Sequence, residues 1–309
     1  MKKRKTVRGI LIHCYQKTTN GALLFYTVSD YLAFFTILCI FAERYGVRIL
    51  AVSLMPDHFH ISLEVDNARD LPLFISVVTQ KYAKENNRDC NRTGNLFFKS
   101  FGSAVKNGAK KARTNLIYVG NNGVERQLCS VAEEYRWGFL PYSISDHPFS
   151  EPIVIRRASS QLRNALKEVE TRHRDGKSLN YKLLQRLFRP LDKKEKLQLT
   201  DRIIAVYDII DHKAAERFFD GYGNMIAAMH SNTGSEYDLN EVMVGRSDAC
   251  YAQITKLLIK RLNLSDIHDL FLMQEDARFE LLPMIQRETG AEPEQILKYL
   301  RLPYIKRKS

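Results

Sequence analysis

Val47-Arg-Ile-Leu-Ala-Val-Ser-Leu54, then Met55-Pro56-Asp57, then His58-Phe-His-Ile-Ser-Leu-Glu-Val65: the fold turns on this stretch. Two runs rich in β-branched and apolar residues flank a short Pro-Asp segment, which reads as an antiparallel hairpin. Upstream, Arg8–Tyr15 has strand composition. Ser29–Tyr45 has apolar residues at helical spacing, with Ser29 or Asp30 as its cap. Downstream, Asp70–Asn87 reads as a helix, Leu96–Val105 as a strand and Lys106–Asn121 as another helix. The order is β-α-β-β-α-β-α. Its first six elements spell a ferredoxin-like α+β unit, in which a split βαβ pair makes a four-stranded antiparallel sheet with helices on one face.

Further out the pattern changes. Leu140–Pro152 holds Pro141, Pro148 and Pro152 among serines, which is linker chemistry and divides residues 1–150 from 151–309. Beyond it the expected elements are all helical: Ser159–Arg174, Asn180–Phe188, Asp192–Ile210, Ala214–Met229, Asp248–Leu262, Leu264–Leu272, Ala277–Thr289 and Glu292–Leu300, with Pro283 kinking or dividing the seventh. Around Gly290, Arg278–Thr289 and Glu292–Leu300 have helix-turn-helix spacing, suited to DNA binding or dimerisation; a plain bundle fits the same pattern.

The 309 residues carry 47 Lys+Arg against 35 Asp+Glu, a net charge of +12, and 45% are hydrophobic. That excludes a disordered chain and predicts attraction to polyanions. The five cysteines are scattered without a C-x-x-C pair, so a zinc knuckle or disulfide framework is not expected and a reducing, cytoplasmic setting is. The basic start is followed by too short an apolar run for a signal peptide, and Glu43 and Arg44 stop Leu32–Phe41 short of a membrane span.

His58 and His60 sit two apart on an expected strand, so both imidazoles share one face. That is either half of a metal site or a polar pair on a solvated sheet. On the last helix of the unit, Tyr118 and Asn122 lie one turn apart; Tyr118, like Tyr82, also suits a core position. From Asn91 to Val124 there is no acid, while Arg92, Lys99, Lys106, Lys110, Lys111 and Arg113 alternate with Phe97, Phe98 and Phe101. Cations neutralise phosphates and aromatic faces stack on unpaired bases, so these six are the candidate DNA-binding side chains.

Leu54-Met-Pro-Asp-His58-Phe-His60-Ile61 resembles the MPNHxH signature of the HUH single-tyrosine transposases, closest to the REP-associated branch. Arg92-Thr-Gly-Asn-Leu-Phe97 resembles that family's RxGxLF strand, Tyr118-Val-Gly-Asn-Asn122 its YIxxN helix end, and Glu134-Tyr-Arg-Trp137 its YxW closing segment. The four motifs run in order over about residues 7–140. Asp57 stands where Asn is usual, and Gly123 where Pro is usual, which would loosen the turn after the helix.

The resemblance implies a transposase that cleaves and rejoins single-stranded DNA through a 5′-phosphotyrosine. Tyr118 would be the nucleophile, and His58, His60 and Asn122 would hold Mg²⁺ or Mn²⁺. It implies a single-stranded or hairpin DNA partner and a monomer or homodimer in the cytoplasm. His13, on the first strand, either borders this site or packs in the core. A domesticated, non-catalytic DNA-binding protein and a replication-initiator nuclease are the alternatives. Against the initiator, no phosphate loop of a helicase occurs.

Overall fold

Alternation along four short strands sorts their side chains onto two faces, and each face is covered by different helices. The computed structural model describes residues 9–67, 69–98, 100–231 and 247–303. The elements of the first half are β1 (Leu11–Lys17), α1 (Val28–Arg44), β2 (Arg48–Met55), β3 (His58–Glu64), α2 (Asp70–Asp89), β4 (Gly102–Lys106) and α3 (Ala109–Glu125). The sheet order is β2-β3-β1-β4 with every pair antiparallel, which is the ferredoxin-like arrangement the sequence spells. Ile12, Cys14, Phe59, Ile61 and Leu63 turn to one face and form a core with α1 and α2. The opposite face is roofed by α3 through Leu116, Ile117 and Val119 against Leu11, Leu50 and Ala51.

Several boundaries differ from expectation: β1 runs on to Lys17, and the last helix of the unit is shifted from Lys106–Asn121 to Ala109–Glu125. The α1 cap is Thr27: its hydroxyl accepts from the Asp30 amide and Asp30 accepts from the Thr27 amide, a reciprocal box that moves the start upstream of Ser29. Leu96–Val105 is not one strand. Phe97 makes a single bridge to Thr18, and regular pairing begins only at Gly102. The break falls after Phe98: its amide still donates to the Lys17 carbonyl at 3.2 Å, but its carbonyl is taken by the Gln16 side-chain amide at 2.8 Å rather than by the strand ladder.

The second half is helical: α4 (Ser160–Arg174), α5 (Tyr181–Phe188), α6 (Lys193–Tyr207), α7 (His212–Arg217), α8 (Tyr222–Ser231), α9 (Cys250–Leu262), α10 (Glu275–Phe279), α11 (Leu282–Thr289) and α12 (Pro293–Tyr299). The expected helix Ala214–Met229 breaks into α7 and α8 at Asp220 and Gly221, both with positive φ. Leu264–Leu272 narrows to a 3₁₀ turn, Ile267–Leu272. Pro283 does divide its segment, sitting in the first turn of α11, where its missing N–H costs nothing.

These helices share cores with the sheet half. Leu162, Leu166, Leu183, Leu199 and Ile203 continue the core beneath α1. Leu23 and Tyr26 are enclosed by Tyr251, Ile254, Leu258, Ile285, Ile296 and Tyr299. The Pro-rich segment 140–152 is fastened at one carboxylate. Asp201 on α6 accepts from Tyr142 Oη at 2.9 Å and the Phe149 amide at 3.0 Å, and it pairs with Arg136. Among the described residues no cysteine is in a disulfide, and no helix is long and apolar enough to cross a membrane.

Candidate active site

β3 carries His58, His60 and Ser62 on the face beneath α3. Residues directly opposite in a ladder share a face, so β1 adds Lys17 opposite His58 and Tyr15 opposite His60, while β2 adds Met55 and Ser53. Above them α3 brings Asn115, Tyr118 and Asn122, spaced so that all three look down on the sheet. Asn115 Oδ1 accepts from Ser62 Oγ at 2.8 Å, and the Tyr118 ring meets His60 edge-on at 5.2 Å between centroids. The helix therefore runs against the direction of β3, and Asn122 follows toward the His58 end.

The two imidazoles stand 4.8 Å apart between centroids at 89°. Each is oriented by a neighbour. His58 Nδ1 lies 2.6 Å from Asp57 Oδ1, and His60 Nδ1 lies 2.9 Å from His13 Nε2. A carboxylate only accepts, so His58 donates its Nδ1 proton to Asp57, which fixes the ring with Nε2 at its far end. Burial would raise the Asp57 carboxyl, but the His58 imidazole and the Lys298 ammonium hold it well below the usual carboxylate range. All four central side chains are nearly enclosed: His58, His60, Tyr118 and Asn122 are 5%, 0%, 8% and 3% exposed.

The donor set fits a divalent cation. Two imidazoles at this separation can share one ion, and each is fixed by an outer partner as metal-binding histidines are. The Asn122 amide nitrogen donates to the Tyr118 carbonyl at 3.0 Å, which leaves its oxygen as the end able to face a cation. The described residues hold no cluster of three or more His, Cys, Asp or Glu side chains able to bind a metal. A two-histidine site completed by an amide, water and phosphate oxygens suits Mg²⁺ or Mn²⁺, which keep exchangeable oxygen ligands.

The basic candidates separate. Lys110, Lys111 and Arg113 are exposed on the first turns of α3, with Arg113 over the Phe219 ring at 5.3 Å. Lys106 ends the edge strand β4, opposite Leu11 and close to that turn. Arg92 is engaged elsewhere: it braces its own loop through Asn87 Oδ1 and the Asn95 carbonyl, both at 3.0 Å. Lys99 lies outside the described residues. Tyr82 is on the other side of the sheet, its hydroxyl bonded to the Leu24 carbonyl at 3.0 Å in a nest of Phe25, Phe34 and Phe97.

Sequence reasoning passed over Tyr15 and Lys17 and left His13 undecided. The alternation His13-x-Tyr15-x-Lys17 on a strand beside β3 was the signal that could have found them. Gly102 was also missed. A Cβ there would lie 2.2 Å from Tyr15 Cζ, so only glycine lets the Tyr15 ring lie across β4.

Residues 11–122 match the family model described as transposase IS200 like. The resemblance to single-tyrosine transposases is thereby borne out over the stretch that builds the sheet and the site, and the chain is transposase-like there. Among solved structures, the chain is similar to one described as the REP-associated tyrosine transposase bound to a REP hairpin. The identity is 12%, the match covers 52% of this chain and 94% of that one, and the TM-score is 0.41. No curated protein matches the chain.

Proposed function

We propose that the chain is a metal-dependent single-tyrosine transposase that cleaves and rejoins single-stranded or hairpin DNA. The observation that carries this reading is the adjoining pair His58 and His60 with the Tyr118 ring against them. Residues 1–150 form the catalytic unit in this reading, and 151–309 a helical extension that serves DNA binding or dimerisation. Tyr118 Oη attacks the scissile phosphorus and forms a 5′-phosphotyrosine as the 3′ oxygen leaves; a 3′-OH later attacks the phosphotyrosine and restores the phenol. His58, His60 and Asn122 would hold Mg²⁺ or Mn²⁺, which would neutralise the phosphate and orient it. His13 fixes the His60 ring, and Asp57 the His58 ring. Lys106, Lys110, Lys111 and Arg113 lead the strand along the N-terminal end of α3. Such a protein works on chromosomal DNA in the cytoplasm.

The test is a covalent-adduct assay on denaturing gels, with single-stranded DNA from the flanks of the chain's own gene and Mn²⁺. An adduct lost with Tyr118→Phe, with His58→Ala and with EDTA supports the reading. An adduct that survives Tyr118→Phe overturns the assignment of the nucleophile. The near-complete burial of Tyr118 favours a second reading, a non-catalytic DNA-binding derivative. Tight DNA binding without any adduct supports that one.

A further inference from the structure

The turn between β2 and β3 meets the far end of the chain. Asp57 Oδ1 accepts from His58 Nδ1, while its other oxygen, Oδ2, pairs with Lys298 Nζ on α12. The Lys298 and Asp57 side chains are only 12% and 15% exposed. The Lys298 helix is itself pinned: the Tyr299 carbonyl accepts from Tyr26 Oη at 2.9 Å, and Tyr299 Oη bonds Thr255 Oγ1 at 2.6 Å. On the other side, the Pro56 carbonyl accepts from the Leu24 and Phe25 amides, so the turn cannot swing. Both oxygens of Asp57 are thus fixed from opposite sides. An asparagine, usual in the resembling family at this position, could not pair with an ammonium in this way.

From this geometry we infer that Asp57 and Lys298 are positioning residues for the metal site, and that α12 of the helical extension completes it. Lys298 holds Asp57, Asp57 holds the His58 ring by its Nδ1 proton, and His58 Nε2 is thereby aimed at the cation. The inference rests on the proposed function in so far as His58 is a ligand.

Mn²⁺ titration of the metal-free protein, followed by paramagnetic resonance, tests it without turnover. Lys298→Met keeps the side-chain length and removes the charge. By Coulomb's law alone, loss of a nearby cation would tighten Mn²⁺ binding. Weakening by about tenfold, the usual cost of losing an outer-shell partner, therefore reports lost positioning. Lys298→Arg should restore affinity. In an Asp57→Asn background, Lys298→Met should have no further effect, because the carboxylate that transmits it is gone. Thr255→Val loosens the same helix but leaves the Asp57–Lys298 pair in place, so it should weaken Mn²⁺ binding less than Lys298→Met does. In ¹⁵N side-chain spectra, His58 should be the Nδ1–H tautomer in the wild type and a mixture in Lys298→Met. Unchanged or tighter Mn²⁺ binding by Lys298→Met overturns the inference while leaving the metal site standing. If the wild type itself binds no Mn²⁺, or His58→Ala binds it equally, the metal reading falls and the inference with it.

Discussion

Gly123 and Gly120 lie one turn apart on α3, and a methyl group added at each meets a different obstacle. At Gly123 it would fall 2.5 Å from Tyr135 Cγ and 2.9 Å from Tyr135 Cβ, near the backbone of a side chain whose hydroxyl is tied to the Leu54 carbonyl at 2.6 Å. At Gly120 it would fall 2.7 Å from Met229 Sδ, the yielding end of a flexible chain. Gly123→Ala is therefore expected to destabilise by about 1–3 kcal/mol, as overpacking does. Gly120→Ala should be close to neutral, because the ~0.5–1 kcal/mol gain in helix propensity offsets the shift of Met229. Urea midpoints of the two variants against the wild type decide this. The same glycine corrects a sequence expectation. Glycine in place of proline does not loosen the turn after the helix: α3 runs on through Glu125, and the missing side chain lets Tyr135 seat against it. His58 and His60 were legible because the strand period puts them on one face, whereas Tyr118 was set apart from Tyr82 only by the resemblance of its segment to the family's helix-end motif. Tyr135 against Gly123 was not legible, since no local period connects a glycine to a ring twelve residues away.

Among the elements, α3 ends in a buried ion pair. Arg126, at its C-cap, donates Nε and Nη2 to the two Asp248 oxygens at 2.8 and 2.5 Å, and the Asp248 amide donates to the Arg126 carbonyl. The Asp248 carboxylate is fully enclosed and the Arg126 side chain 8% exposed. Removing one partner strands the other, so Asp248→Asn or Arg126→Met should cost about 3–5 kcal/mol in urea unfolding. The double variant should recover part of that loss, with a coupling energy measured by the double-mutant cycle. Patterning predicted the order of the helices, and the bounds of α2, α4, α5 and α9 to within two residues, but not this joint, because a pair separated by more than a hundred residues leaves no trace in either neighbourhood. The 96–101 segment failed for the opposite reason. Its aromatic, β-rich composition satisfied the strand pattern, yet the Gln16 side chain takes the Phe98 carbonyl that a continued ladder would use. At the other end of α3, changing Lys110, Lys111 and Arg113 together to Ala should flatten the salt dependence of single-stranded DNA binding by about two units of log–log slope. Filter binding across a salt series measures it, and an unchanged slope would mean the strand runs elsewhere.

At the scale of the whole molecule, docking of the last helices rests on a buried charge. His268, before α10, places Nε2 3.2 Å from Asp30 at the start of α1, and both are almost fully enclosed. Burial alone would depress the His268 imidazole, but the Asp30 carboxylate pushes it up to about 11. Burial would likewise raise Asp30, and His268 with the Tyr26 and Thr27 amides overcomes this and lowers it. A histidine pKa raised on folding contributes its full stability below the unfolded value of ~6.5 and loses it as pH climbs toward the folded one. Thermal stability should therefore decline steadily from neutral pH to about 11, and His268→Gln should start lower and decline less over that range. Scanning calorimetry at several pH values checks this. A wild-type melting temperature flat across the alkaline range would show that the pair carries no such charge.

Three charged groups of the sheet half, Asp30, Asp57 and Arg126, find their counterions on His268, Lys298 and Asp248. The consequence reaches the gene. A premature stop between codons 119 and 298 would leave the two histidines and Tyr118 encoded intact while stripping at least Asp57 of its buried partner. Erosion from the 3′ end thus cannot whittle this protein down gradually to its family motifs. Lineages that keep the motifs readable are expected to keep the reading frame through Lys298 as well.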